Sequence, residues 1–229
     1  MKAGFSEIVI TPQESVMLAG YGRDIWSTGV HDDLYASAVY LEDGDKKAVL
    51  ISFDLIGFDA AMIKQLKSGI QEVLPLEADH IFFTCTHTHE GPTFNSYVWS
   101  DEKQPEYFAR YQAFLTEQVK KVVKEAASAP REFDLGVNRS FIDENMNRRF
   151  FLNNGTHLYI PNHKELEPIS FNHEDKELGM LYFFPKGDRH PFGVIVDWTM
   201  HPLTAGNTSH LISSDVAGVV REVVRESLE

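Results

Sequence analysis

Two histidines separated by a single residue give the strongest chemical signal in the sequence. The segment Thr86-His87-Thr88-His89-Glu90-Gly91-Pro92 follows directly on the apolar run 81–83. Along an extended chain, residues two apart point to the same side, so the imidazoles of His87 and His89 can converge where the strand ends. Neutral imidazole is a common zinc ligand, and α/β proteins place their sites at strand ends. The segment predicts a metal site, with two surface histidines that leave a strand as the alternative.

A second apolar stretch also ends in a histidine. In Asp197-Trp198-Thr199-Met200-His201-Pro202 the order strand, histidine, proline is repeated. A catalytic zinc ion usually has three protein ligands and keeps one position for water. Two strand ends that each present an imidazole favour one shared metal, although His201 taken alone would more often cap a strand.

Two charged positions outside these segments are further candidates. Asp54 ends the predicted strand before the histidine strand, where it could bind the metal or hydrogen-bond a ligand imidazole. Arg148 lies beside Arg149 in a loop-rich segment. In a cleft, an arginine can hold a carboxylate or polarise a developing oxyanion. The alternatives are that Asp54 is a solvated strand end and that Arg148 and Arg149 are solvated surface residues. For the arginines, residue type alone favours the solvated alternative.

The polar loop 207–215 opens a predicted helix. Its backbone N–H groups and the helix dipole favour negative charge. Within the loop, His210 could orient a substrate or a ligand carboxylate. Asp215 has the residue type of a helix N-cap, and capping is the simpler interpretation.

The predicted elements place these residues at strand ends and in loops. Short β-branched and aromatic runs predict strands at 35–41, 48–53, 80–85 and 192–200, with a weaker one at 180–184. Apolar residues at helical spacing predict core-facing helices at 62–74, at 105–123 and from Ser214 or Asp215 onward. Asp43-Gly44-Asp45 predicts a hairpin turn, and the stretch 131–176 is expected to be an irregular, functional segment.

This order of elements predicts an α/β (α+β) fold, a mixed β-sheet with helices packed on it. We expect a single domain over residues 1–229 that is incomplete at its C-terminal end, because the sequence stops inside or just after the third predicted helix.

Composition and charge restrict the binding partners and the cellular compartment that we expect for this protein. The formal net charge is −13, and the pI is near 5.2. Such a surface repels nucleic acid and anionic membranes. The single cysteine excludes an intrachain disulfide, and no run approaches the roughly 20 apolar residues of a membrane span. We expect a cytoplasmic protein, with secretion left open if a leader has been removed, and homo-oligomerisation is also left open.

Taken together, these segments resemble the neutral/alkaline ceramidase family, in order and along almost the whole chain. The matching segments are 3–12, Gly20-Tyr21, Gly29-Val30-His31, the histidine segment from Thr86 to Pro92, Met146-Asn147-Arg148, His201-Pro202 and 210–215. Several motifs in the right order are far more specific than any one of them.

The resemblance implies a role for each matching residue. His87 and His201 would be zinc ligands, His89 would contact the reacting carbonyl, and Arg148 would lie close to the scissile amide. The zinc would activate a water that attacks an N-acyl amide, releasing a fatty acid and an amine. Ceramide or a related N-acyl lipid is then the expected substrate.

The sequence departs from the family in two ways. The family's remaining zinc ligands, a glutamate and a tyrosine, and its Gly-x-x-Ser-Pro-Asn segment belong downstream of Glu229, so full activity is expected to need further sequence. Glu90 stands where the family usually has serine, and a carboxylate there could alter the substrate pocket.

Other interpretations stay open. A β-lactamase-like metallohydrolase needs His-x-His-x-Asp-His, and an amidohydrolase barrel needs its His-x-His on the first strand; neither pattern fits. A domain that binds a metal or a ligand without turning it over is the stronger alternative.

Overall fold

The computed structural model describes residues 1–22, 24–94, 106–145, 147, 150–152, 157–158, 168–171, 174–206 and 208–228. The strands are β1 (Lys2–Val9), β2 (Gly29–Val30), β3 (Tyr35–Asp43), β4 (Lys46–Phe53), β5 (Ile81–Cys85), β6 (Arg131–Phe141), β7 (Phe150–Leu152), β8 (His157–Leu158), β9 (Pro168–Phe171), β10 (Glu177–Pro185), β11 (Gly193–Trp198) and β12 (Leu211–Ile212). The helices are α1 (Ala60–Val73), α2 (Glu106–Ala126) and α3 (Val216–Leu228). None of the helices in these ranges has both the length and the apolar character needed to cross a bilayer.

Seven strands form one mixed sheet in the order β11-β10-β6-β1-β3-β4-β5. β3 and β4 are an antiparallel hairpin in which Asp43 pairs with Lys46. Gly44 in the turn has φ +59°, which glycine adopts without steric cost. β4 and β5 are parallel, and α1 lies in the connection between them. The predicted hairpin and the predicted fold class, a mixed sheet with helices packed on it, are both confirmed.

The first two helices each bury one face. Asp59 caps α1, because its carboxylate accepts the Met62 N–H at 2.7 Å. Met62, Leu66 and Ile70 recur at four-residue steps and are almost completely buried. α2 packs on β1 and β3 and contacts α1. This packing makes the sheet a rigid support for the segments that leave β4 and β5.

The chain divides into two compact units. The first comprises Met1–Asp134, Phe183–Gly193 and Pro202–Glu229, and it holds the main apolar core. The second comprises Leu135–Tyr182 and Val194–His201. In the second unit β7 pairs with both β8 and β9 in a three-stranded antiparallel sheet.

Two sequence predictions about these elements are wrong. The stretch 131–176 contains the 11-residue strand β6 rather than irregular chain alone. Phe133, Leu135 and Val137 alternate there with polar residues and glycine, which is the period of a strand. The asparagines, glycine and prolines further along the stretch led to the prediction of irregular chain. α3 was predicted to face the core with its valines. None of its described residues is buried, and Val219 and Val223 are 64% and 60% exposed.

Candidate functional site

The two histidines after β5 reach one another through a turn rather than along a strand. β5 ends at Cys85, and His87 has φ +69°, a left-handed conformation that costs energy for any residue with a side chain. The His87 N–H donates to the Leu55 carbonyl at 3.0 Å, which holds this turn against the segment that follows β4. The rings of His87 and His89 lie with their centroids 5.3 Å apart. Strained backbone, and not the alternation of an extended strand, brings them together.

His201 joins these residues in a histidine cluster, defined as His87, His89 and His201. One ring nitrogen of each lies within 4.8 Å of the other two. His87 and His201 are exposed, and His89 is buried. Two Zn–N bonds of about 2.0–2.1 Å span about 4.2 Å at most. The 4.8 Å within which the three nitrogens lie is an upper limit close to this span, so the group could hold one metal ion.

A glycine and a tyrosine form the wall behind His89. A Cβ atom on Gly20 would lie 2.0 Å from the Nδ1 atom of His89, so only glycine leaves room for this ring. The Tyr21 ring meets the His89 ring edge-on, with centroids 5.2 Å apart. Backbone bonds from Ala19 N–H to the Gly91 carbonyl (3.0 Å) and from Thr93 N–H to the Met17 carbonyl (3.0 Å) join this wall to the histidine segment.

Glu90 is a buried carboxyl beside the histidine cluster. Its Oε1 atom accepts the Tyr21 hydroxyl at 3.4 Å, and the residue is 1% exposed. Its backbone N–H donates to the Thr88 hydroxyl at 3.3 Å, and its carbonyl accepts the Ser213 N–H at 3.1 Å. Burial, together with the negative charge of Asp215, raises the pKa of Glu90 to about 7.

Asp32 organises the segment that follows β12. It accepts the Ser213 hydroxyl (2.5 Å), the Ser214 hydroxyl (2.5 Å), the Ser214 N–H (2.7 Å) and the His31 ring (2.7 Å). Burial opposes ionisation, but the hydrogen bonds from Ser213, Ser214 and His31 outweigh it and lower the pKa of Asp32. The sequence analysis missed Asp32, whose only signal is an acidic pair with Asp33.

Asp215 fastens the segment that follows His201. Its Oδ2 atom accepts both the N–H and the hydroxyl of Thr204 at 2.8 Å, and its Oδ1 atom accepts the Val216 N–H at 2.5 Å. Asp215 is buried and has φ +56°, a second strained position in the site. Its side chain thus holds the loop at Thr204 against the start of α3. The helix N–H that it accepts is that of the adjacent Val216, whereas an N-cap side chain accepts that of the second or third helical residue.

Comparison with known proteins identifies the family. The model of "Neutral/alkaline non-lysosomal ceramidase, N-terminal" matches residues 2–229. This chain belongs to the neutral/alkaline non-lysosomal ceramidase family. The neutral ceramidase of Pseudomonas aeruginosa has a similar structure, with a TM-score of 0.73 and 18% identity over 93% of this chain and 34% of that one. A structure described as ceramidase complexed with C2 gives 0.72 and 19%, over 93% and 33%. The ceramidase-family chain thus spans about a third of either protein, and at these identities the likeness is one of fold.

In this ceramidase-family chain, Asp54 forms a buried ion pair instead of joining the histidine cluster. Its Oδ2 atom lies 2.5 Å from a guanidinium nitrogen of Arg221 in α3 and accepts the Tyr35 N–H at 2.9 Å. The Arg221 guanidinium also lies over the Tyr35 ring, 4.7 Å from its centroid. Burial raises the pKa of Asp54, against the opposing charge of Arg221. The contacts of Asp54 tie α3 to the end of β4.

The remaining predicted residues lie outside the histidine cluster or outside the described residues. His210 has an exposed side chain, and its carbonyl accepts the Thr28 N–H at 2.8 Å. Arg148, with Met146 and Arg149, falls outside the described residues. The neighbouring Asn147 is described, and its N–H donates to Glu174 at 3.1 Å.

The segment that precedes Arg148 is tied to the segment that carries His201. The side-chain amide of Asn145 donates to the Thr199 carbonyl at 2.7 Å and to the Asp175 carbonyl at 2.6 Å. Thr199 stands two residues before His201. Asn145 is thereby anchored within the second unit.

Proposed function

We propose that this chain is the metal-binding part of a zinc-dependent hydrolase of N-acyl amides, with ceramide or a related N-acyl lipid as substrate. One observation supports this most strongly. Three imidazoles meet in a chain whose whole length matches the ceramidase family. His87 and His201 are the proposed zinc ligands, because they are the exposed members of the cluster and each follows the end of a strand.

The zinc and each residue around it have separate proposed roles. Bound zinc would supply Lewis acidity and lower the pKa of a water molecule. His89, which packs against Gly20 and Tyr21, is the proposed hydrogen-bond donor to the substrate carbonyl. Buried donors aimed at a developing oxyanion are the largest single contribution in many hydrolases. Arg148 is the proposed second cation at the scissile amide, on the strength of the family motif.

A non-catalytic domain that binds metal or ligand is the second candidate. It is supported by the three clustered imidazoles, which could hold a metal ion whether or not a substrate is turned over. A chain of this kind would bind zinc through its histidines and show little turnover.

Release of fatty acid from a fluorogenic N-acyl amide, with and without added zinc, separates the two candidates. Zinc-dependent turnover that falls at least about 100-fold in His89→Ala supports the hydrolase, since removing one oxyanion donor costs about that much. His80→Ala changes an exposed histidine outside the cluster and serves as the control. Zinc binding without turnover, in this chain and in a chain extended beyond Glu229, would favour the binding domain.

A further inference from the structure

We propose that Glu90 determines specificity at this site. It accepts a hydrogen bond from a hydroxyl or ammonium group on the amine part of the substrate, and it excludes a substrate that carries a carboxylate there. The inference rests on the proposed function, because it concerns the substrate of the same site. It goes further by assigning a chemical preference to one residue.

The position of the Glu90 carboxyl is fixed relative to His89. Tyr21 touches both groups, since its ring packs against the His89 ring and its hydroxyl donates to Glu90 Oε1. The backbone of Glu90 is held on both sides, by Thr88 and by Ser213. A carboxyl that is fixed in this way is preorganised, so a ligand that pairs with it need not order it first.

The two oxygens of the Glu90 carboxyl differ in their hydrogen bonds. Among the described residues, Glu90 Oε2 is buried and has no hydrogen-bond partner. A buried acceptor left without a donor costs free energy that a suitable partner recovers. A substrate bound at the histidine cluster brings its amine part to this neighbourhood, and a hydroxyl or ammonium group there supplies the donor.

The charges around Glu90 explain the exclusion of anions. Asp215 and Asp32 add negative charge near Glu90, and His31 is the opposing group. A substrate carboxylate would lie close to the negative charges of Glu90, Asp215 and Asp32 in a buried environment. It would also offer no hydrogen-bond donor to Glu90 Oε2. Like-charge contacts of this kind reject a wrong ligand more strongly than small differences in shape do.

The test uses amides of one fatty acid with ethanolamine, ethylenediamine or glycine, which place a hydroxyl, an ammonium or a carboxylate group at the same position. We expect the protein to prefer the first two over the glycine amide in kcat/KM. In Glu90→Gln, the ratio of kcat/KM for the glycine amide to that for the ethanolamine amide should rise about tenfold or more. Glu90→Ser should shift the ratio in the same direction. Glu14→Gln, which alters an exposed carboxylate, is the matched control and should leave the ratio unchanged.

Failure of this inference can be distinguished from failure of the proposed function. Equal use of the glycine and ethanolamine amides by the unaltered protein would overturn the inference, as would an unchanged ratio in both Glu90 variants. If one variant fails to fold, the other variant and the unaltered protein still decide. If no amide is hydrolysed by this chain or by a chain extended beyond Glu229, the proposed function fails, and calorimetric affinities of the same amides for the metal-free chain decide the inference. Equal affinities would overturn it, and tighter binding of the hydroxyl and ammonium amides would support it.

Discussion

Single residues set the geometry of this site, through the absence of a side chain at Gly20 and through left-handed backbone at two other positions. Gly20 has φ +90°, and any side chain there would overlap the ring of His89. His87 and Asp215 adopt left-handed backbone although neither is glycine. Strain of this kind persists only where the surrounding contacts enforce it, and it is concentrated at functional sites.

Gly20→Ala should damage the site beyond its effect on the backbone. The added methyl group would displace His89, so zinc affinity should fall together with stability. Gly187→Ala is the matched control, because Gly187 has φ +78° with no atom near its missing Cβ; it should cost only about 1–2 kcal/mol of backbone strain. Urea unfolding and zinc titration of both variants measure the two effects. A Gly20→Ala protein that matches Gly187→Ala in both would contradict this role.

Asp32 should stabilise the fold in a pH-dependent way. Its pKa is lowered in the folded protein, so its stabilisation is complete above the unfolded value of about 3.9 and is lost as the pH falls through the lower folded value. Asp32→Asn should therefore destabilise the protein at pH 7 and do so progressively less below about pH 4. Denaturant unfolding of both proteins at several pH values measures this. An equal difference at every pH would show that ionisation of Asp32 contributes nothing.

At the scale of elements, an ion pair connects α3 to the segment that follows β4, which in turn holds the turn at His87. Arg221 in α3 reaches Asp54 directly after β4, and the Asp54 carboxylate is 1% exposed. The turn at His87 rests on Leu55, one residue further along. α3 thus supports the site from behind, although none of its described residues is buried.

Arg221→Ala should destabilise the protein by about 3–5 kcal/mol, because it leaves a buried carboxylate without its partner. Arg110→Ala removes an ion pair with Glu14 in which both side chains are exposed, and it should cost about 1 kcal/mol or less. Thermal or denaturant unfolding of the two variants compares them directly. Similar small losses for both would mean that the pair with Asp54 does not hold α3 in place.

The sequence predicts the elements around the site better than it predicts their environment. The strands that lead to His87 and His201 follow from their short apolar runs, and α1 and α2 follow from their helical stripes. β6 was missed because the asparagines, glycine and prolines that follow it led to the prediction that the whole stretch 131–176 is irregular. The valine stripe of α3 was correctly identified as helical and wrongly placed in the core, because periodicity shows which face is apolar and not what covers it.

At the scale of the whole molecule, the site depends on contacts that no local pattern contains. The loop with Tyr21, the histidine segment and the loop at Ser213 are far apart in sequence, yet backbone hydrogen bonds join them. Tyr21 and Asp32 were missed as site residues for this reason. The histidines were identified because each follows a predicted strand. Their agreement with an ordered set of family motifs then indicated the role of each one.

Zinc titration of the whole chain by calorimetry, with a chelator as competitor, tests the central claim most directly. We expect one zinc ion per chain, an affinity at least about tenfold weaker in His87→Ala and in His201→Ala, and no change in His80→Ala. Zinc at 100 times its dissociation constant should also stabilise the folded chain by about 2.7 kcal/mol. Unchanged stoichiometry and affinity in both cluster variants would contradict the claim that these histidines hold the metal.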